Sequence, residues 1–274
     1  MTTDFPSALT EPAYQGLLEL LRQLGSVAVA CSGGLDSGLL LAAARMALGE
    51  RVAALTVATP YMASREIAEA AELAALLGVR HRLLQLPVPA AILDNPPDRC
   101  YRCKRELFAQ LKTVAAEEDC AWLVDGTNRD DLDDYRPGFR ALQELGVRSP
   151  LLETGLGKAE IRRYARALNL PIWNKPAYAC LLTRLPHDTE VRPELLRRVE
   201  SAEHALLVLG FDRVRVRCHD DLARIEIDRT EHLRLLDEAV THRVVAALNE
   251  CGFRYVTLDL EGYRMGSFNV AAAE

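Results

Sequence analysis

Long apolar runs are missing from this 274-residue sequence, and none approaches the length of about 20 residues that a membrane-spanning helix needs. The stretch from Met1 to Pro12 is polar and has no positively charged start, so a recognisable secretory signal is excluded. Positive charge is scarce as well. The net charge is −6 at pH 7 and the isoelectric point is about 5.6, which argues against a dedicated nucleic-acid-binding protein. We therefore expect a cytoplasmic protein with neither a membrane nor a nucleic-acid partner.

A Walker A phosphate-binding loop is also absent, because the lysine of Gly155-Leu-Gly-Lys158 is followed by alanine. Another phosphate-binding candidate lies earlier, where a predicted apolar strand, Val27–Cys31, leads into Ser32-Gly-Gly-Leu-Asp-Ser37. Paired glycines leave backbone amides open to a ligand, and a helix N-terminus favours phosphate. The alternative is an ordinary strand-to-helix turn, in which Ser, Gly and Asp are also common.

This glycine turn predicts an anion site with a metal ion. The two serines offer hydroxyl groups and the two glycines offer amides, so the expected nucleotide-binding residues are Ser32, Gly33, Gly34, Asp36 and Ser37. A carboxylate beside phosphates needs a cation, and we expect Asp36 to bind Mg²⁺.

Strands alternate with helices through the first two thirds of the chain, which predicts a parallel α/β sheet with helices on both faces. The expected strands are Val27–Cys31, Arg51–Val57, His81–Leu86 and Trp122–Asp125, and the expected helices are Tyr14–Leu24, Gly38–Leu48, Ser64–Leu77, Lys104–Glu117 and Gly157–Leu168. Beyond Pro186 the pattern changes to α-β-β-α-β, which predicts a small α+β domain built from Glu194–Leu209, Val214–Cys218, Ala223–Asp228, Glu231–Asn249 and Tyr255–Leu260. We place the boundary between domains 1–185 and 186–274.

The sequence has seven cysteines but only one Cys-x-x-Cys pair, Cys100 and Cys103. Structural zinc sites commonly use two such pairs, so a third cysteine is the more natural completion. Cys180 is the best candidate, because it lies in a proline-bent segment. Three cysteines with an open position fit a [4Fe-4S] cluster. The alternative is that Cys180 is a small buried apolar residue, which is how we interpret the remaining cysteines, Cys31, Cys120, Cys218 and Cys251.

Several motifs together carry a resemblance to one family. Ser32–Ser37 resembles the PP-loop of adenylating ATP pyrophosphatases. The segments that add to it are Asn95-Pro-Pro-Asp-Arg-Cys-Tyr-Arg-Cys-Lys104, Asp125-Gly-Thr-Asn128, Arg136-Pro-Gly138 and Trp173-Asn-Lys-Pro-Ala-Tyr-Ala-Cys180. Over nearly the whole chain the sequence is similar to the LarE family, PP-loop sulfur transferases that help to assemble the nickel-pincer nucleotide cofactor.

The resemblance implies an ATP-dependent sulfurtransferase. ATP would adenylate a carboxylate of pyridinium-3,5-biscarboxylic acid mononucleotide with release of pyrophosphate, and sulfur would then displace AMP to leave a thiocarboxylate. The residue that matches the family's sulfur-bearing cysteine is Cys180. Because Cys100 and Cys103 are also present, we favour a [4Fe-4S] cluster over sacrifice of the Cys180 sulfur. The resemblance further implies a homo-oligomer.

A substrate with a phosphate and carboxylates needs basic partners. Arg215 and Arg217 alternate along one predicted strand and share a face, and Glu226 lies on the next strand. The alternative is a solvated face of a small sheet. The resemblance favours phosphate or metal binding, with Glu226 as a metal ligand, and it also favours Asp125, Gly126, Lys175 and Arg184, besides Arg99, Arg102 and Lys104 near the cysteine pair.

Other interpretations stay open at this point. A tRNA thiolation enzyme also combines a PP-loop with three cysteines, but the acidic isoelectric point speaks against it. An amide-forming synthetase would leave the three cysteines unexplained. A non-catalytic metal-binding regulator is the third alternative. The acidic stretch from Asp130 to Asp134 could hold a cation, although we expect a solvated loop.

Overall fold

The structure is a computed structural model that describes residues 7–132, 137–176 and 179–263. The chain divides into two compact units. The first consists of Met1–Thr59, Ser64–Pro89 and Cys100–Tyr178, and the second of Pro60–Ala63, Ala90–Arg99 and Ala179–Glu274. The boundary expected near residue 185 stays a prediction. Within the described ranges, none of the helices has the length and hydropathy needed to cross a bilayer.

The first unit is built on a four-stranded sheet in which all neighbouring strands are parallel, with the order β3-β2-β1-β4. The strands are β1 (Val27–Ala30), β2 (Val52–Ala58), β3 (Arg80–Gln85) and β4 (Trp122–Val124). The order reverses between β1 and β4, which are neighbours in the sheet although three crossovers separate them. Ligands of open α/β sheets bind at such a reversal, beyond the carboxyl ends of the strands.

Helices flank this sheet and bury its apolar strands. They are α1 (Pro12–Leu24), α2 (Leu35–Leu48), α3 (Ser64–Leu76), α4 (Arg99–Glu117), α5 (Pro137–Glu144), α6 (Pro150–Glu153) and α7 (Lys158–Ala167). Every residue from Leu39 to Ala44 of α2 is buried. The packing is tight at Gly38, where a Cβ atom would come within 2.2 Å of Ile172 Cδ1 and 2.8 Å of Leu73 Cδ2. The predicted fold class is confirmed, with two differences: α5 was not predicted, and α4 starts at Arg99 rather than Lys104.

The second unit contains a three-stranded sheet of order β5-β6-β7, with β5 antiparallel and β7 parallel to β6. Its elements are α8 (Pro193–Val208), β5 (Val214–His219), β6 (Leu222–Ile227), α9 (His232–Leu235), α10 (Glu238–Glu250) and β7 (Tyr255–Leu258). The single helix predicted over Glu231–Asn249 is wrong. Asp237 ends it, because its carboxylate accepts the amides of Ala239 (3.1 Å) and Val240 (3.2 Å) and so caps α10.

Candidate functional site

The PP-loop, Ser32 to Ser37, connects β1 directly to the N-terminus of α2. Gly33 has a φ of +71°, and a Cβ atom there would lie 2.6 Å from the carbonyl oxygen of Glu66, so only glycine fits. The Ser37 hydroxyl closes the loop, since its Oγ lies 3.2 Å from both the amide nitrogen and the Oγ of Ser32. Gly34 is the N-cap of the 14-residue helix α2 and provides no side-chain cap. The first-turn amides and the helix dipole therefore favour an anion here.

The loop after β4 meets the PP-loop at the same sheet edge. A Cβ atom on Gly126 would lie 2.8 Å from the backbone nitrogen of Ser37 and 3.1 Å from the carbonyl carbon of Asp36. Asp125 is buried, and its carboxylate accepts hydrogen bonds from Ser149 Oγ (2.6 Å) and Thr127 Oγ1 (2.5 Å). The structure thus brings the predicted residues Asp125 and Gly126 against the start of α2, where Asp125 fixes the loop and Gly126 permits the close approach.

Lys158 is a residue of this site that the sequence did not point to. Its ammonium forms an ion pair with the Asp36 carboxylate, and both side chains stay partly exposed, at 35% and 24%. Lys158 is the first residue of α7, and its amide donates to Asp130 Oδ2 (2.8 Å). The pair spans 122 positions of the sequence, so no local pattern could have indicated it. The PP-loop therefore has a cation and a carboxylate side by side.

The acidic stretch after this loop is only partly a solvated one. Asp131 is 8% exposed, and its carboxylate accepts from the backbone amide (3.1 Å) and side-chain amide (3.0 Å) of Asn128. Asp130 is exposed, yet it anchors the start of α7 through Lys158. The expectation of a solvated loop is therefore wrong for Asp131, because its charge is needed to hold the turn. Asp133, Asp134 and Arg136 lie outside the described residues.

Cys100 and Cys103 both lie at the start of α4, in the first unit. Residues three apart share a helix face, and these two are exposed and half-buried, respectively. Cys31, Cys120 and Cys218 are buried, and burial raises the pKa of the Cys31, Cys120 and Cys251 thiols. Across residues 7–132, 137–176 and 179–263, no three His, Cys, Asp or Glu side chains are arranged to hold a metal ion. The expected iron–sulfur cluster is therefore not shown.

Cys180 belongs to the second unit, where its backbone is held by several donors. Its carbonyl oxygen accepts from the Thr183 amide (3.1 Å), the Thr183 hydroxyl (2.9 Å) and Arg184 Nη1 (3.1 Å). The next amide, that of Leu181, donates to the carbonyl of Tyr61 (2.8 Å). The side chain remains half-buried. The cysteine is thus presented from a fixed backbone with part of its surface accessible; its neighbours Ala177 and Tyr178 lie outside the described residues.

The arginine that supports Cys180 is part of a buried network. Arg184 is 2% exposed, and its guanidinium makes two hydrogen bonds to Glu203, at 2.8 and 3.0 Å. Glu203 also accepts the amide of Val216 in β5 (3.0 Å). Bidentate pairs of this kind are among the strong hydrogen bonds in proteins. The network fixes the short turn after Cys180 to the edge of the second sheet.

The predicted phosphate-binding residues of β5 and β6 belong to the same network. Arg217 donates to both oxygens of Glu226, at 2.9 and 2.8 Å, and also to the Thr183 carbonyl. Arg217 and Glu226 are 4% and 0% exposed. The alternative of a solvated sheet face is therefore wrong, because polar alternation along a strand does not distinguish a wet face from a buried ion-pair network.

Arg215 is the most strained member of this group electrostatically. It is buried, and burial, together with the positive charge of Arg184, lowers the pKa of its guanidinium. Its Nη1 donates to the carbonyl of Val214 (2.8 Å), and the guanidinium lies over the ring of Tyr263 at 5.1 Å. An anion beside Arg215 would offset both the desolvation and the repulsion.

This fold and loop define the chain as a PP-loop ATP-using enzyme, and the asparagine synthase family model matches residues 18–112. The pyridinium-3,5-bisthiocarboxylic acid mononucleotide synthase of Lactiplantibacillus plantarum is 38% identical over 257 residues, 92% of each chain. An uncharacterized protein of Synechocystis is 38% identical over 263 residues (95% of this chain and 98% of the relative). One of Methanocaldococcus jannaschii is 32% identical over 238 residues (87% and 90%).

These relatives confirm the family. The chain belongs to the LarE family of PP-loop ATP-dependent sulfurtransferases, and it is an enzyme that uses ATP for adenylation.

Proposed function

We propose that the enzyme converts a carboxylate of pyridinium-3,5-biscarboxylic acid mononucleotide into a thiocarboxylate at the expense of ATP. The observation that carries this proposal is the 38% identity, over 92% of the chain, to a synthase of the corresponding bisthiocarboxylic acid. A carboxylate oxygen attacks the α-phosphorus of ATP and pyrophosphate leaves. A sulfur nucleophile then attacks the carbonyl carbon of the acyl adenylate, and AMP leaves with the former carboxylate oxygen.

The PP-loop supplies the activation step. We assign the pyrophosphate part of ATP to the amides of Gly33 and Gly34 and to the hydroxyls of Ser32 and Ser37, with Lys158 offsetting negative charge. Asp125 and Gly126 bound the nucleotide from the neighbouring strand end. This assignment is supported by the open N-terminus of α2 and by the closeness of the two loops.

The residues of the loop fit a magnesium ion. Mg²⁺ takes one or two protein carboxylates and completes its shell with phosphate oxygens and water. Asp36 offers one partly exposed carboxylate at the start of α2, beside the proposed phosphate position. The ion would neutralise charge on the phosphates, and Lys158 is the cation that holds Asp36 without it.

The buried arginines of the second unit are the proposed recognition site for the substrate's phosphate and carboxylates. Arg215 has the strongest electrostatic reason to gain an anion, while Arg217 and Arg184 hold Glu226 and Glu203. The metal role of Glu226 stays a prediction, since both of its oxygens accept from Arg217.

Cys180 is the proposed sulfur-bearing residue. Support comes from its fixed carbonyl and its half-buried side chain, in contrast with the buried Cys31, Cys120 and Cys218. A sulfur that must reach a bound acyl adenylate has to be both placed and accessible.

The [4Fe-4S] cluster on Cys100, Cys103 and Cys180 is the finer part of the proposal. Its support is the accessibility of all three cysteines and the position of Arg99, which precedes Cys100 in the chain yet belongs to the unit of Cys180. Such a cluster would leave one iron open to a ligand that is not protein. A homo-oligomer and a cytoplasmic location stay predictions from the sequence, the first testable by light scattering.

The test of the function is pyrophosphate release from ATP with and without the pyridinium biscarboxylate mononucleotide, followed by mass spectrometry of the product. We expect release to depend on the mononucleotide and the product to carry sulfur in place of oxygen. Release that depends instead on tRNA, with a tRNA complex at moderate salt, would favour the thiolation alternative. No release with either substrate would favour the non-catalytic regulator.

The test of the cluster is separate. Anaerobic reconstitution with iron and sulfide should give a coloured protein whose iron and labile sulfide are lost in Cys100→Ser but kept in Cys251→Ser, a half-buried cysteine outside the proposed set. If the colourless enzyme is active and its intact mass falls by one sulfur atom for each turnover, the cysteine is sacrificed and the cluster proposal is wrong.

A further inference from the structure

The lysine of the Trp173-Asn-Lys-Pro motif reaches the back of the PP-loop. Lys175 Nζ donates to the carbonyl oxygen of Gly33 (2.7 Å) and forms an ion pair with Glu69 of α3. The lysine side chain is only 11% exposed. Burying an ammonium is costly unless it is paired and hydrogen-bonded, and here it is both.

The segment that carries this lysine is fastened from the other side. Arg162 of α7 donates to the carbonyl oxygens of Trp173 (3.0 Å) and Lys175 (3.2 Å). The Lys175 amide donates to the carbonyl of Ile172 (2.9 Å), and Ile172 packs against the start of α2 at Gly38. The ammonium is therefore held in place by the backbone that supports it, and the contact with Gly33 is not that of a freely moving surface lysine.

The Gly33 carbonyl and the Gly34 amide belong to one planar trans peptide group, so they point in opposite directions. A donor that fixes the carbonyl on one side also fixes the direction of the amide on the other. This matters at a Gly-Gly step, because neither residue has a Cβ atom to restrict rotation of the peptide between them. The φ of +71° at Gly33 shows that the turn uses this freedom.

From these contacts we infer that Lys175 is a positioning residue for ATP. It orients the Gly33–Gly34 peptide so that the Gly34 amide donates to the pyrophosphate portion of the nucleotide. The inference rests on the proposed use of the PP-loop for ATP. The role differs from a direct phosphate contact, because the ammonium lies on the carbonyl side of the peptide and its charge is balanced by Glu69.

The test compares binding of ATP and of AMP, since only ATP has the pyrophosphate portion. Lys175→Met should weaken Mg·ATP binding about tenfold, the effect of losing one hydrogen bond to a charged group, and leave AMP binding within about twofold. Lys175→Arg keeps a donor and should recover part of the loss. Glu69→Gln removes the charge partner but not the Gly33 contact, so it should bind ATP nearly as the wild type does.

A double-mutant cycle gives the second readout. Gly34→Pro removes the amide itself, and if Lys175 acts through that amide, adding Lys175→Met to Gly34→Pro should weaken ATP binding no further. The matched control is Arg162→Ala, which loosens the same segment without a contact to the loop. Equal losses for ATP and AMP in Lys175→Met, or fully additive losses in the cycle, would overturn the inference. A wild-type protein that binds no ATP would instead overturn the proposed function.

Discussion

The two sheets of the molecule treat polar residues in opposite ways. In the first unit, β1 and β2 consist of apolar residues and one threonine, and the polar side chains follow at the carboxyl ends of the strands. In the second unit, β5 and β6 carry Arg215, Arg217 and Glu226 within the strands themselves, and all three are buried. One sheet is an apolar support for a site at its edge, whereas the other has buried charge as part of its core.

The difference follows from topology. In a parallel sheet the connections bring loops and helix N-termini to one edge, so phosphate-binding groups collect there without entering the core. A small mixed sheet with one helix layer offers no such edge. Charges placed on its strands must then be paired inside, which is stabilising only when the geometry of each pair is good. The first unit is therefore suited to activation and the second to recognition of an anionic substrate.

The largest expected effect separates the two units by function. Cys180→Ser should abolish formation of the thiocarboxylate while pyrophosphate release continues, because activation uses the PP-loop alone and the serine lacks a transferable sulfur. The measurements are pyrophosphate release and product mass on the same sample, with Cys251→Ser as control. Thiocarboxylate production by Cys180→Ser at the wild-type rate would show that the sulfur has another source.

The buried ion pairs of the second unit should dominate its stability. Glu226→Gln leaves Arg217 buried without its carboxylate and should lower the free energy of unfolding by about 3–5 kcal/mol. Its control is Glu194→Gln, whose partner Arg197 is 69% exposed, and which should cost no more than about 1 kcal/mol. Urea unfolding measures both. Similar losses in the two variants would contradict the contrast drawn between the sheets.

The charge pair at the PP-loop should matter for chemistry rather than stability. Lys158→Met removes the cation beside Asp36 and should slow pyrophosphate release roughly 10²-fold, as loss of one preorganised electrostatic group does. The urea midpoint should barely change, since the pair is partly exposed. A large loss of stability with unchanged turnover would assign Lys158 a structural role.

Close packing at the PP-loop predicts a smaller, steric effect. Gly126→Ala places a methyl group 2.8 Å from the Ser37 nitrogen and should cost about 1–3 kcal/mol, with weaker ATP binding. A Cβ atom on Gly16 of α1 would meet no atom within 4 Å, so Gly16→Ala should instead stabilise the protein by up to about 1 kcal/mol. Equal behaviour of the two variants would contradict the proposed close approach of the loops.

The smallest expected effect is on the pH dependence of stability. Burial lowers the pKa of His81, His187 and His219 below the value of 6.5 for a free histidine. The unfolded chain then binds more protons than the folded one below pH 6.5, so stability is complete above that pH and falls as the pH decreases through it. Neutral His187 Nδ1 accepts from Arg99 Nη1 at 2.7 Å, and His187→Gln should reduce the slope. Stability that is constant or rises on acidification from pH 7 to 5.5 would contradict this.

Much of the first unit was readable from the sequence, because strand and helix patterns are local. The parallel sheet, the glycine turn and the helix that follows all agree with the structure. The failures occurred where local pattern and tertiary environment disagree. The start of α4 was placed after Cys100 because of the preceding prolines, and the helix over residues 231–249 was not divided because the Asp237 cap outweighs a continuous helical period.

What the sequence determined by itself is the chemistry available: the paired glycines and serines of the PP-loop, its single carboxylate, the cysteine pair and the lone Cys180. Only the tertiary structure decided how these groups are charged and held. It set Lys158 against Asp36, Lys175 against the Gly33 carbonyl, and Arg184 between Glu203 and Cys180. The physical reason is that a motif depends on neighbours in the chain, whereas an ion pair or an oriented peptide depends on neighbours in space.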